Sequence, residues 1–379
     1  MTTTWSEFVK RSLLGLEPYS PGPSVAELRA RYGLDEIVKL DWNEGLLGPF
    51  PGVLEVTAAE LANAWMYPEQ AYADFRAALG DWLGIPPERI VPAHGIQALV
   101  ASLSAAAILP GDRVVLPAPT YGLYAQVFTA AGASIERVPA APDLRLDLER
   151  MAAAADRTGA KLVVVCDPNN PTGSLVERAE WDAFLDALPD RCAVVVDEAY
   201  VEYVDPARAL GRERDVADGR PVILFRTFSK IFGLAGLRLG YAVVHEDLRA
   251  LIDVVQEPFN VNRAALAAGK ASLARADLVA ERRAQAARAR DLLALRLEEL
   301  GATVYRSQAN FLLADLGVDD IVLTERLARR GYLVRAGSEF GLGGHVRITV
   351  GPDGVMARVA DELAAVRFEV AESAGTEQT

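Results

Sequence analysis

The 379-residue chain holds only two cysteines, Cys166 and Cys192, each inside an apolar run. A single possible pair makes no disulfide framework, and both read as buried, reduced thiols. No stretch reaches about 18 uninterrupted apolar residues, so no membrane span is expected. The opening MTTTWSEFVKRSLLGLE lacks the long apolar core of a secretory signal. Basic residues are in deficit, 39 Lys and Arg against 52 Asp and Glu, for a net charge of −13. A nucleic-acid binder carries a basic stripe, and none stands out. The arginines between Arg282 and Arg290 alternate with alanine on a helical pattern and read as a solvated helix face. Repeats of fixed period and low-complexity segments are absent. A soluble cytoplasmic protein is the default expectation.

Hydrophobic residues make up 51% of the chain and charged residues 24%. This is ordinary globular usage, which excludes disordered, collagenous and coiled-coil classes. At about 150 residues per domain, the length implies two to three domains, or one large domain with an appendage. A chain of this size buries about three-quarters of its unfolded surface and needs no disulfide or metal staple.

Short β-rich runs alternate with helical patterns. RVVLP (113–117), SIERV (134–138), KLVVVC (161–166), CAVVV (192–196) and VILFR (222–226) are apolar runs with helical patterns between them, at 121–131, 146–155 and 176–188. Continuous apolar strands are expected where both sheet faces are covered, so the pattern predicts an α/β fold with a doubly wound, mostly parallel sheet. Ligands of such folds sit at the carboxyl ends of the strands. After about 262 the character changes to a long Ala/Arg/Leu-rich helix (262–300). ATVYR (302–306), NFLLADL (310–316), a helix at 319–330, YLVR (332–335), HVRITV (345–350) and a last helix to about 370 follow. This reads as a smaller α+β domain. The expected organisation is an N-terminal arm (1–30) carrying Pro18, Pro21 and Pro23 and packing on the small domain, a large domain (31–261), the small domain (262–370) and a disordered polar tail (371–379).

Three segments carry candidate chemistry. In TFSKIFGLAGLRLGY (227–241), Lys230 follows an apolar strand and is flanked by Thr227, Ser229 and a Gly-rich turn. A desolvated lysine can form Schiff bases, and Ser229 with Arg238 offers donors to a phosphate. The same residues would also serve as a surface turn. CDPNNPTGSLV (166–176) is a rigid loop after a buried strand that would present Asn169 and Asn170 at the sheet edge, or simply turn the chain. In VVVDEAYVEY (194–203), Asp197 ends an all-apolar strand, where a carboxylate needs a partner such as a cationic ring nitrogen, or caps a helix. Two weaker segments lie upstream. Gly95 in VPAHGIQAL (91–99) opens a helical run whose N–H groups can hold a phosphate. Tyr121 in PAPTYGLY (117–124) can stack on a flat ring or pack in the core.

Together and in this order, these segments resemble the pyridoxal-phosphate aminotransferases of fold type I, and most closely the histidinol-phosphate aminotransferase group. The resemblance extends through PYSPG (18–22), KLDWNEGLLGP (39–49), PFNVN (258–262), QANF (308–311) and HVRITVG (345–351). It implies pyridoxal 5'-phosphate as cofactor, covalently carried by Lys230. It implies that Asp197 pairs with the pyridinium nitrogen, that Asn170 and Tyr200 hold the ring's phenolic oxygen and that Tyr121 stacks on the ring. The cofactor phosphate would be held by backbone at Gly95, Ile96 and Gln97, by Ser229 and Arg238, with Thr227 beside them. Tyr67 would reach the cofactor phosphate of the neighbouring subunit in a homodimer with shared sites. Arg347 would grip the substrate's anionic end, with Arg335 and Tyr19 as second contacts and Asn43 as a loop residue near it. The substrates would be a small amino donor and an oxo-acid acceptor such as 2-oxoglutarate, with no metal.

This chain departs from the family pattern at two places. The usual Asn-Glu-Asn-Pro loop is Asn43-Glu44-Gly45-Leu46, and the phosphate loop has Ile96 and Gln97 where a serine and an acidic residue are usual. His94 beside that loop reads as structural. The choice of donor stays open between histidinol phosphate and aromatic or other amino acids, because two arginines suit a phosphate and a carboxylate equally. A decarboxylase on the same scaffold also remains, whereas a non-enzymatic binding module would not require Lys230.

Overall fold

The computed structural model describes residues 4–18 and 23–376. Its strands in chain order are β1 (Val38–Lys39), β2 (Ile90–Ala93), β3 (Arg113–Ala118), β4 (Ser134–Pro139), β5 (Leu162–Cys166), β6 (Ala193–Asp197), β7 (Val222–Thr227), β8 (Gly240–Val243), β9 (Thr303–Tyr305), β10 (Phe311–Asp315), β11 (Tyr332–Leu333), β12 (Arg335–Ala336) and β13 (His345–Thr349). Seven of them form one sheet in the order β2-β8-β7-β6-β5-β3-β4. All run parallel except β8, which is antiparallel to both neighbours.

Period-2 alternation splits the apolar strands between two cores. Val163, Val165, Val194, Val196 and Leu224 face one core, which the helices Ala73–Leu83, Leu148–Thr158, Arg178–Ala187 and Arg263–Leu273 cover. Leu162, Val164, Val195, Ile223 and Phe225 face the other, beneath the helices Gly95–Ala107, Leu123–Ala131 and Glu246–Val255. Covering both faces is what allows LVVVC (162–166) and AVVV (193–196) to be apolar throughout, and the doubly wound expectation holds.

The carboxyl ends of β5, β6 and β7 lie side by side, with Cys166 opposite Asp197 and Asp197 opposite Phe225. A buried ion-pair chain ties them together. Arg212 binds Asp167 at 2.6 Å and Glu198 at 2.9 Å, while Arg226 binds Glu198 and Glu213 at 2.6 Å each. Asp167 follows β5, Glu198 follows β6 and Arg226 lies on β7, so this network fixes the three strand ends relative to one another.

The remaining strands build a second unit. β12-β13-β10-β9 is an antiparallel sheet, and β1 pairs in parallel with β11. Its own core contains Leu40, Leu293, Leu297, Leu312, Ile348 and Leu363. Several expectations need correction here. The packing does not change at 262, because Ala265 and Ala268 of the helix Arg263–Leu273 are buried in the first core. The change falls inside the helix Asp277–Glu299, whose Val279 joins the first core and whose Leu293 and Leu297 join the second. Residues 38–40 join the second unit through β1 and Leu40.

The start of the arm lies against the first unit rather than the small domain. Ser12 Oγ donates to Ala130 O at 2.7 Å, and Gln126 Nε2 donates to Glu17 O at 3.2 Å. YLVR is two short strands, because the chain leaves β1 after Leu333 and joins β13 at Arg335. The last helix continues to Thr376, past the boundary expected at 370. The Arg282–Arg290 segment is not a solvated face. Arg282 donates to Gly48 O, Ile231 O and Pro49 O, Arg283 to Glu202 O, and Arg290 to Ala309 O, and only Arg288 is exposed. Carbonyls left over where chain segments cross between the units claim these guanidinium groups, a tertiary demand that helical periodicity cannot show.

Candidate active site

Four turns converge at the carboxyl edge of β5–β7. The turn after β7 carries Lys230, whose Nζ donates to Asn43 O at 2.9 Å and to Trp42 O at 3.1 Å. Its ammonium lies 5.5 Å from the Tyr200 ring. Burial, then the positive charge of Arg347, pulls the Lys230 amine down to about 7. An exposed lysine titrates near about 10.4, so this amine is substantially neutral at physiological pH.

Asp197 ends β6 with 4% of its surface exposed. One carboxylate oxygen accepts from Ala199 N at 3.0 Å and the other from the Tyr124 hydroxyl. Burial raises its pKa to about 6 against the opposing pull of these two bonds. Tyr200 is buried, edge-on to Phe311, and its hydroxyl accepts from Asn43 Nδ2 at 3.0 Å. Burial also pushes its phenol upward.

The loop after β5 brings Asn170 to the same place, where its Oδ1 accepts from Arg347 Nη1 at 2.5 Å. The other Arg347 nitrogen, Nη2, donates to Asp41 O, and the guanidinium lies between the rings of Phe311 and Phe340 at 5.6 and 5.2 Å. β12 pairs with β13 so that Arg335 stands opposite Arg347.

On the other side of Lys230, Thr227 Oγ1 binds Ser229 Oγ at 2.9 Å and accepts from Ser229 N at 3.1 Å. Arg238, in a left-handed conformation at φ 55°, passes over Gly95, itself at φ 77°. A Cβ on Gly95 would stand 2.7 Å from Arg238 Nη2, so only glycine lets this guanidinium approach the helix start. The helix Gly95–Ala107 begins there without a side-chain cap, which leaves its first N–H groups available to an anion. Ile96 packs against the core, and Gln97 Nε2 donates to the Tyr121 hydroxyl at 3.3 Å. His94 is exposed and caps nothing.

The structure thus links Lys230, Asn43 and Tyr200 by direct contacts, joins Asn170 to Arg347, and sets Asp197 and Arg347 near enough for their charges to act on Lys230, with Thr227 and Ser229, Gly95 and Arg238, and Gln97 and Tyr121 as adjoining pairs. Tyr67 is not brought in. It is 78% exposed and stacks on Phe259 at 4.8 Å. Tyr19 lies outside the described residues. Sequence reasoning missed Tyr124, one helical turn beyond Tyr121, and Asn310, whose Nδ2 donates to Asn43 O and Glu44 O at 3.1 and 3.2 Å. It also missed Thr349, which accepts from Asn43 N and donates to Asn43 Oδ1.

Comparison with known proteins shows the family. The model of the aminotransferase class I and II family matches residues 35–363. A histidinol-phosphate aminotransferase of Symbiobacterium thermophilum is 37% identical over 95% of this chain and 99% of its own. One of Anaeromyxobacter sp. is 38% identical over 89% and 92%. The crystal structure of a histidinol-phosphate aminotransferase from Sinorhizobium meliloti, in complex with pyridoxal 5'-phosphate, superposes with a TM-score of 0.86 at 30% identity, covering 96% of this chain and 97% of the other. The chain belongs to the class I and II aminotransferases of fold type I, within the group that contains the histidinol-phosphate aminotransferases.

Proposed function

We propose that this chain is a pyridoxal-phosphate-dependent aminotransferase that moves an amino group between histidinol phosphate, or a closely similar anionic amine, and 2-oxoglutarate. The observation that carries the reading is the meeting of a near-neutral lysine and a buried carboxylate at the edge of the seven-stranded sheet with Arg347, which reaches the Asn170 loop from the second sheet. The residues fit the cofactor. Arg238 lies over Gly95 at an uncapped helix start, so its guanidinium and the free N–H groups can be offered to one phosphate, and Ser229 and Thr227 add hydroxyl donors. Asp197 offers a buried negative charge to a cationic ring nitrogen, with Tyr121 as the stacking ring and Tyr200 and Asn170 as polar contacts to its phenolic oxygen.

The bound cofactor supplies an electron sink that stabilises a carbanion at the substrate's α-carbon. Lys230, close to neutral, would provide the nucleophilic amine that holds the cofactor, and when free would carry a proton to and from the reacting carbons. Asp197 would keep a proton on the ring nitrogen, its carboxylate being held by the Tyr124 hydroxyl and the Ala199 amide. Arg347 orients the donor through its anionic tail, with Arg335 and Tyr19 as second contacts and Asn43 shaping the wall of the site.

Tyr67 would complete a neighbouring copy's site in a homodimer. In support, Leu61, Trp65 and Tyr67 are 58%, 81% and 78% exposed in a single segment. No helix among the described residues is long and apolar enough to cross a membrane, and the two free buried cysteines suit a reducing cytoplasm.

Steady-state rates with histidinol phosphate, histidinol and phenylalanine as donors, each with 2-oxoglutarate, test this. Histidinol phosphate is expected to have the highest kcat/KM and to yield an oxo product with one glutamate formed per turnover. Best turnover of phenylalanine, with no advantage from the phosphate, contradicts the reading.

A further inference from the structure

Arg335 and Arg347 face each other across paired antiparallel strands, so their side chains leave the same face of the sheet. Their partners differ in charge. Arg347 is bound by neutral oxygens, Asn170 Oδ1 and Asp41 O. Arg335 Nη2 is bound by the carboxylate of Glu339 at 2.5 Å. The short turn Gly337–Phe340 that delivers Glu339 is anchored. Asp320 accepts from Ser338 N at 2.7 Å, from Ser338 Oγ at 2.8 Å and from Gly344 N at 2.9 Å. The same turn sets Phe340 against Arg347. A pinned turn therefore places a carboxylate on one arginine and an uncharged ring on the other.

We propose that Glu339 is a resident counter-anion that competes with the substrate's anionic tail for Arg335 and so limits how strongly the enzyme favours a donor carrying such a tail. The inference rests on the reading of Arg335 and Arg347 as the anion site. An arriving phosphate or carboxylate has to displace Glu339 from Arg335. The Glu339 side chain is 43% exposed against 16% for Arg335, so it can turn into water while the guanidinium stays in place. When product leaves, Glu339 closes back on Arg335, which is then never left as a half-buried charge without a partner.

The test uses the holoenzyme at constant ionic strength, with inorganic phosphate as a competitive inhibitor against whichever donor is turned over best. Glu339→Gln keeps the size of the side chain and removes its charge. It is expected to tighten phosphate inhibition about two- to fivefold, the size of effect that partly exposed ion pairs carry, with kcat little changed. The ratio of kcat/KM for histidinol phosphate over histidinol should rise by a similar factor. In an Arg335→Gln background the gain should vanish. Glu325→Gln, which frees the surface cation Arg329, should give no gain. Unchanged or weaker inhibition in Glu339→Gln overturns the proposal, as does a gain that persists without Arg335 or appears equally in Glu325→Gln. A wild-type enzyme with no preference for histidinol phosphate would instead defeat the substrate reading. The phosphate measurement would still decide the role of Glu339.

Discussion

Lys230 combines two requirements that oppose each other in water, a flexible amine and an absence of charge. Burial supplies the second, and the nearby Arg347 guanidinium strengthens it. Because the folded-state pKa is lowered to about 7, the neutral amine accumulates as pH rises through that value rather than near 10. Capture of pyridoxal 5'-phosphate by the cofactor-free protein should therefore accelerate between pH 6 and 8 and level off above, as stopped-flow absorbance would show, given a reference value of about 10.4 for exposed lysine. Arg347→Ala removes a positive neighbour, so its profile should move to higher pH. A wild-type profile still climbing at pH 9 would contradict this account of the amine. At this scale much of the site was legible in the sequence. Lys230, Asn170 and Arg238 each stand beside a strand end with a Gly or Pro turn, and Asp197 is a charge ending an apolar strand. Tyr124, Asn310 and Glu339 were not legible, since their partners Asp197, Asn43 and Arg335 are 73, 267 and 4 residues away and only packing or a turn's shape selects them.

The elements that hold these residues are joined by charge as well as by apolar packing. Arg212 bridges Asp167 and Glu198 with 3% of its side chain exposed and lies over the Trp181 ring at 4.4 Å. Removing it leaves Asp167 without its ion-pair partner at the end of β5 and Glu198, after β6, with Arg226 alone. Arg212→Ala should cost about 3–5 kcal/mol of stability, the usual result of breaking a buried pair from one side. A urea midpoint within about 0.5 kcal/mol of wild type, the range of ordinary surface substitutions, would refute the network's role. The central strands were readable because LVVVC and AVVVD are continuous β-branched runs. β2 and β8 were not read as strands, because each is only four residues long and they begin or break with Gly240 and Pro92. The double life of the helix Asp277–Glu299 was equally hidden. Its sequence is Ala/Arg-rich from end to end, and only tertiary contacts reveal that its two halves serve different cores.

Across the whole molecule, two units share one cleft, and the cleft is spanned by Asn43, which reaches Tyr200 on one side and Thr349 on the other. The exposed Leu61, Trp65 and Tyr67 and the Tyr67–Phe259 stack lie away from this cleft's contacts, where a second copy of the chain would cover them. Sedimentation at working concentration should show a dimer, and Tyr67→Phe should weaken cofactor retention while leaving that dimer intact. A monomer with full activity would remove the shared site. The central claim, that Lys230 at the end of β7 is the covalent anchor of the chemistry, is most directly tested by borohydride reduction of the holoenzyme followed by peptide mapping. Lys161 and Lys270 are paired with Asp112 and Asp74 and have side chains 41% and 44% exposed, so neither is desolvated. The account predicts a single pyridoxyl label on Lys230 and none in Lys230→Ala. A label on Lys161, Lys270 or any other lysine would contradict it.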